Sequence, residues 1–232
     1  MIKIRQGSTR GFEDKGWLQT YHTFSFDNYY DPEFLGFRQL RVINEDYVKG
    51  GKGFGSHMHK DMEILTYVIE GALEHQDSLG HNTVIRPGEV QRMTAGTGVM
   101  HSEYNLSHHF PVHFLQIWIY PETYGLEPSY ASKLFSSASK WGTWCLICSR
   151  NGREGSLRIH QDVDLYATLL DDTDELVFDA LMDRYYWIQI VSGKFFVQES
   201  TLQAGDGAAI SNESAIKIRC LSSGELLLFD VA

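Results

Sequence analysis

Short runs rich in β-branched and aromatic residues alternate along this chain with clusters of Gly, Asn, Asp and Ser, the pattern of strands joined by turns. Strands are predicted at 37–43 (FRQLRVI), 62–71 (MEILTYVIEG), 113–120 (HFLQIWIY), 185–193 (YYWIQIVSG), 215–220 (AIKIRC) and 225–231 (ELLLFDV). Turn chemistry lies between them in DSLGHN (77–82), RNGREG (150–155) and AGDG (204–207). Amphipathic helical patterns are scarce; the best helix candidate is PSYASKLF (128–135), with Pro128 near its start. The pattern predicts an all-β protein built as barrels or sandwiches, with few short helices.

A weak internal repeat divides the chain. LTYVIEG, VIRPGEV and MTAGTG in the first half match WIQIVSG, TLQAGDG and AAISNES in the second. Aligning Gly71 with Gly193 and Gly88 with Gly205 superposes strand, turn, strand and Gly-acid turn. Two related β-barrels in tandem are expected, over residues 1–130 and 131–232, because Pro121, Gly125, Pro128 and a Ser-rich stretch interrupt the strand pattern between 121 and 140.

Composition narrows the function classes. The 232 residues are 43% hydrophobic and carry a net charge of −10, which argues against direct binding to nucleic acid or anionic membranes and leaves a protein partner open. The N-terminus has no apolar signal region, and no apolar run is long enough to span a bilayer. Cys145, Cys148 and Cys220 are an odd, sparse set that suits a reducing cytoplasm better than a disulfide framework. The Cys145–Cys148 pair lies in a strand-like segment, where positions three apart face opposite ways, and reads as two ordinary strand cysteines. Nothing in the sequence demands an oligomer, so a monomer is expected.

Four residues carry candidate chemistry. His57-Met58-His59 and His101-Ser102-Glu103 each place two ligand-type side chains on one face of a strand. If the two segments are neighbours or face one another, three imidazoles and a carboxylate converge on one divalent transition metal per chain. Such a set leaves open positions on a six-coordinate ion and favours Fe(II), with nickel, copper, manganese and zinc as alternatives. His22, in HTFSF, is a candidate pocket residue. Gln116, which shares a strand face with Phe114 and Trp118, is another, since a polar group among these needs a partner. His75, His81, His108, His109, His113 and His160 lack comparable company and read as surface or turn residues. Counting from the aligned glycines, the second half offers Asp179, Leu181, Ile218 and Cys220 at the equivalent positions, so only the first half is expected to bind metal.

These motifs resemble the cupins. Gly51–Glu63 fits G-x5-H-x-H-x3-E, and Gly96, Gly98, His101 and Asn105 fit the second cupin motif with Gly in place of Pro. Gly71 sits one residue late. Within the cupins, the segments at 16–46, 57–80 and 93–105 (MTAGTGVMHSEYN) resemble the pirins, in particular the bacterial pirin-like proteins described as quercetin 2,3-dioxygenases. The resemblance implies a bicupin of two antiparallel jelly-roll barrels packed face to face. It also implies His57, His59, His101 and Glu103 as ligands. Glu63, a ligand in most cupins, would then only orient a ligating histidine or serve structurally. The implied activity is oxidative opening of the central ring of a flat polyphenol such as quercetin by dioxygen, with release of carbon monoxide and with Glu103 as both ligand and base. The alternative is an iron-binding, redox-sensing module that acts through protein partners without turnover.

Overall fold

The computed structural model describes residues 1–232 and is all-β, with one four-residue α-helix (Ser137–Lys140) and two single-turn 3-10 helices. No helix is long and apolar enough to cross a membrane. Contacts divide the chain into two units, one of Gly11–Leu134 with Ile159–Gln161, the other of Met1–Arg10, Phe135–Arg158 and Asp162–Ala232. This division falls close to residue 130 but hands the first ten residues to the C-terminal unit. The cause is β1 (Ile2–Arg5), which pairs with a late strand at Gly207–Ser211.

The metal-motif unit is built from eleven strands. They are β2 (Gly11–Asp14), β3 (Leu18–His22), β4 (Leu40–Val48), β5 (Gly53–His59), β6 (Glu63–Glu70) and β7 (Leu73–Asp77), followed by β8 (Asn82–Ile85), β9 (Glu89–Thr94), β10 (Val99–Asn105), β11 (Val112–Ile119) and β12 (Ser129–Leu134). Seven form one sheet in the order β12-β9-β6-β11-β4-β3-β2, and four form a second in the order β5-β10-β7-β8. Every pairing in both is antiparallel.

The helix expected at 128–135 is instead strand β12, paired with β9 from Ser129↔Thr94 to Leu134↔Glu89. The side chains explain the difference. Tyr130 reaches Thr83 and Gln91 through its hydroxyl, and Arg92 bonds Ser129, so an available sheet edge outweighs a weak local helical preference.

Inward side chains of this unit change character along each strand. At one end Leu18, Val48, Val68, Leu73, Ile85, Val112 and Phe114 form an apolar cluster from both sheets. At the other, Ile64, Met93 and Val99 pack with Met62 and Trp118. Each such side chain contributes about 1.5–3 kcal/mol by leaving water. Between the clusters runs a polar row at matched register: His22↔Asn44, Asn44↔Gln116, Gln116↔Thr66 and Thr66↔Gln91. The alternation is unbroken, but its inward residues turn polar at mid-strand, which is costly unless every group finds a partner.

The second unit contains β13 (Cys145–Ser149), β14 (Leu157–Arg158), β15 (Val163–Leu170), β16 (Glu175–Asp179), β17 (Tyr185–Val197), β18 (Ser200–Gln203), β19 (Gly207–Ser211) and β20 (Ala215–Val231). The two strands expected at 215–220 and 225–231 are one continuous β20, whose first half pairs with β16 and whose second half pairs with β15. Both halves feed one core through Ile216, Ile218, Leu226 and Leu228, with Phe195 and Ile188 of β17. Cys145 is half-buried and Cys148 buried, neither in a disulfide, with a register shift between Leu146 and Cys148.

The glycines that align the repeat share backbone conformation. Gly71 and Gly193 have φ of 83° and 78°, and Gly88 and Gly205 have 88° and 86°. At Gly193 a Cβ would lie 2.5 Å from the Ser222 carbonyl oxygen, whereas at Gly142, also at positive φ, it would meet nothing within 4 Å. Gly193→Ala is therefore expected to cost about 2 kcal/mol or more and Gly142→Ala about 1 kcal/mol in denaturant unfolding. Equal losses would contradict a close-approach role for Gly193.

Candidate metal centre

Strands β5 and β10 lie side by side, with His101 opposite His57 and Val99 opposite His59. Burial alternates along both, so His57, His59, His101 and Glu103 turn inward while Met58, Met100 and Tyr104 stay exposed. The register shifts between His101 and Glu103, which pairs with Phe54. Gly53 permits this approach, since a Cβ there would lie 2.2 Å from the Glu103 carbonyl oxygen.

Three imidazoles converge. Ligand nitrogens of His57, His59 and His101 lie within 4.8 Å of one another, and the Nε2 atoms of His57 and His101 are 3.0 Å apart. Nitrogens sharing one ion at about 2.0–2.1 Å stand about 2.9 Å apart at a right angle, so this spacing fits a common metal. Burial drives the His101 imidazole down to about 3, with the neighbouring histidines adding to the effect. Burial and then His57 bring His59 to about 4. Both rings are therefore neutral near pH 7 and offer lone pairs.

Hydrogen bonds assign the tautomers. His57 Nδ1 donates to the Gly55 carbonyl at 2.8 Å, which leaves Nε2 bare. His75 Nε2 donates to Asp77 Oδ2 at 3.0 Å, so His75 Nδ1 can accept from His101 Nδ1 at 3.5 Å, and the His101 Nε2 lone pair faces His57. Burial pushes the Asp77 carboxyl up, but hydrogen bonds from His75 and His81 outweigh it and hold the group below the usual carboxylate range. A carboxylate thus anchors His101 through a second histidine, an arrangement that fixes ring orientation at metal sites.

Glu103 is buried directly opposite His75 and groups with His75 and His101 within 4.8 Å. Its carboxylate accepts from Gln116 Nε2 at 2.7 Å, Thr66 Oγ1 at 3.2 Å and Gln91 Nε2 at 3.4 Å. Burial pushes it up to about 7 despite Thr66, Gln91 and Gln116, and the nearby Asp46 charge adds to the rise. A cavity of about 250 Å³ opens beside the cluster, with His57, His59, Glu103, Gln116, His22 and Trp118 in its wall. His22 Nδ1 is tied to Asn44 Oδ1 at 2.8 Å.

Glu63 stands apart. It is fully buried but lies on the opposite face of β6 from Thr66, where it meets Thr94 at 3.2 Å and His160 Nδ1 at 3.3 Å. It therefore orients none of the three clustered imidazoles, because alternation turns it away from them. His75, expected at the surface, is fully buried behind His101. His81 and Tyr130 stack within this group, with ring centroids 4.6 Å apart. His113, also expected at the surface, stacks on Tyr47 and bonds Glu45 at 2.9 Å.

Comparison with known proteins follows the two units. Residues 4–119 match the family model described as Pirin, and residues 146–231 match one described as Quercetinase C-terminal cupin domain. A protein of Escherichia coli strain K12 named quercetin 2,3-dioxygenase is 47% identical over 231 residues, covering 100% of this chain and 99% of the relative. A pirin-like protein of Caulobacter vibrioides is 38% identical, covering 100% of both. The solved structure of the bacterial pirin YhhW from Escherichia coli superposes with a TM-score of 0.97 at 46% identity, over 100% of this chain and 98% of that one. The same protein in complex with nickel(II) gives a TM-score of 0.95 at 47% identity, over 100% and 99%.

Two outcomes are expected. Asp77→Asn should weaken metal affinity by about 10- to 100-fold without unfolding the protein, measured by competition with a chelator; unchanged affinity would remove the anchoring role. The second concerns Glu103 in metal-free protein. Its folded carboxyl keeps a proton that the unfolded chain releases near its ordinary value of 4.5, so this stabilisation is lost as pH rises through about 7. The stability of Glu103→Gln relative to the parent should therefore grow between pH 5 and pH 8, by on the order of 3 kcal/mol. A gap independent of pH would show that the carboxylate is charged throughout.

Proposed function

This chain belongs to the pirin family, and we propose that it is a metal-dependent dioxygenase that opens the central ring of flavonols such as quercetin, with release of carbon monoxide. The observation that carries the reading is the cluster of three imidazoles within 4.8 Å beside a cavity walled in part by Trp118 and Phe26. His57, His59 and His101 would hold the metal, with Glu103 as fourth ligand. We infer iron as the resident metal from the mixed imidazole and carboxylate donors; the nickel(II) complex of the Escherichia coli relative makes nickel the first competitor. When bound, the metal supplies Lewis acidity to the 3-oxygen of the flavonol.

The chain's own groups do the rest. Glu103 lines the cavity beside the three imidazoles, and its carboxylate is suited to take the 3-hydroxyl proton when it loosens from the metal. Gln116, Thr66 and Gln91 hold its carboxylate and limit its swing. The half-buried Trp118 and Phe26 give a flat ring system an apolar surface to lie on and exclude water from the electron-rich, deprotonated flavonol. Dioxygen then adds, the central ring opens and carbon monoxide leaves.

Reconstitution of metal-free protein with Fe(II), Ni(II), Mn(II), Cu(II) or Zn(II) tests the proposal. With the working metal, oxygen uptake and carbon monoxide release should each match quercetin loss, and His57→Ala should be silent. Glu103→Gln should keep much of the metal and lose at least about 100-fold in turnover. Stoichiometric metal without oxygen uptake would sink the dioxygenase reading and favour a redox-sensing role.

A further inference from the structure

The cavity beside the metal centre has polar groups that the chemistry above leaves unused. Asp46 sits on β4, directly opposite Thr20 on β3 and Phe114 on β11, and lines the cavity while being only 4% exposed. Thr20 is near enough to favour its charged form, yet the Thr20 Oγ1 is buried with no hydrogen bond of ordinary geometry. Lys15, the cation that acts on Asp46, is already paired with Glu13 at 3.2 Å and Asp27 at 3.8 Å. One acceptor and one hydroxyl, opposite each other on neighbouring strands, thus border the cavity with hydrogen-bonding capacity to spare.

Buried polar groups of this kind are satisfied by water or by a ligand. A flat aromatic that displaces water from them must return the lost hydrogen bonds, or its affinity falls. A phenolic hydroxyl can do so, because it donates to a carboxylate and accepts from an aliphatic hydroxyl.

We propose that Asp46, with Thr20 opposite it, is the recognition site for a phenolic hydroxyl of the substrate other than the one that meets the metal, so that the cavity selects polyhydroxylated over sparsely hydroxylated flavonols. The assignment rests on the flavonol reading and deepens it. Burial, with the Glu45 charge adding, also pushes the Asp46 carboxyl up to about 7 against the pull of Thr20 and Lys15. A hydroxyl donor is the partner that relieves this cost without requiring a buried cation.

Binding of quercetin and of 3-hydroxyflavone to metal-loaded protein, without oxygen, separates the possibilities. The two ligands share the 3-hydroxyl and carbonyl and differ in the remaining hydroxyls. The parent protein should prefer quercetin by about 10- to 100-fold. Asp46→Asn should lose about 10-fold on quercetin and stay within about twofold on 3-hydroxyflavone. Thr20→Val should show a smaller loss of the same selectivity, and it carries the test if Asp46→Asn fails to fold by melting and near-UV circular dichroism. Equal effects on both ligands, or none, would overturn the recognition role while leaving the flavonol reading intact. Failure of the parent protein to bind either ligand would overturn both.

Discussion

The candidate centre depends on the register between β5 and β10. Because strand side chains alternate with a period of two, His57 and His59 share a face, as do His101 and Glu103, and pairing His57 with His101 brings the two faces together. A slip of one residue would turn Met58 and Met100 inward and send the imidazoles to solvent. The apolar clusters at either end of the unit oppose such a slip, since Val99 packs with Ile64 and Met93, and Phe54 packs against the cluster of Phe114 and Leu73.

The same alternation sets the chemistry around the metal. The row from His22 through Asn44, Gln116 and Thr66 to Gln91 crosses five strands of the larger sheet and faces the histidine cluster. It binds Glu103 by three hydrogen bonds, so the carboxylate is desolvated and held at once. Behind His101, His75 and Asp77 set the opposite condition, a carboxylate kept charged that directs a lone pair at the cluster. Two carboxylates a few residues apart in space therefore have opposite protonation tendencies, set by whether burial or hydrogen bonding prevails.

Much of this was legible in the sequence. The paired H-x-H and H-x-E motifs needed only strand periodicity to identify four inward ligand-type residues, and the repeat glycines predicted two units whose turns share a left-handed backbone. His75 escaped because a lone histidine in EHQD has no local signature; its meaning comes from pairing with Glu103 across β7 and β10. Asp46 and Thr66 escaped likewise, as single polar residues inside otherwise strand-like runs. Glu63 showed the reverse. Motif position suggested the site, but its parity on β6 placed it on the other face, beside His160. Residues 128–135 show a weak local preference yielding to a sheet edge.

The most direct test of this account is X-ray absorption spectroscopy of the metal-loaded protein beside Glu103→Gln. The account predicts three imidazoles and one carboxylate oxygen from the protein around a single metal, with the imidazole signature retained and the carboxylate lost or replaced in the variant. Fewer than three imidazoles, or a spectrum that Glu103→Gln leaves unchanged, would contradict it.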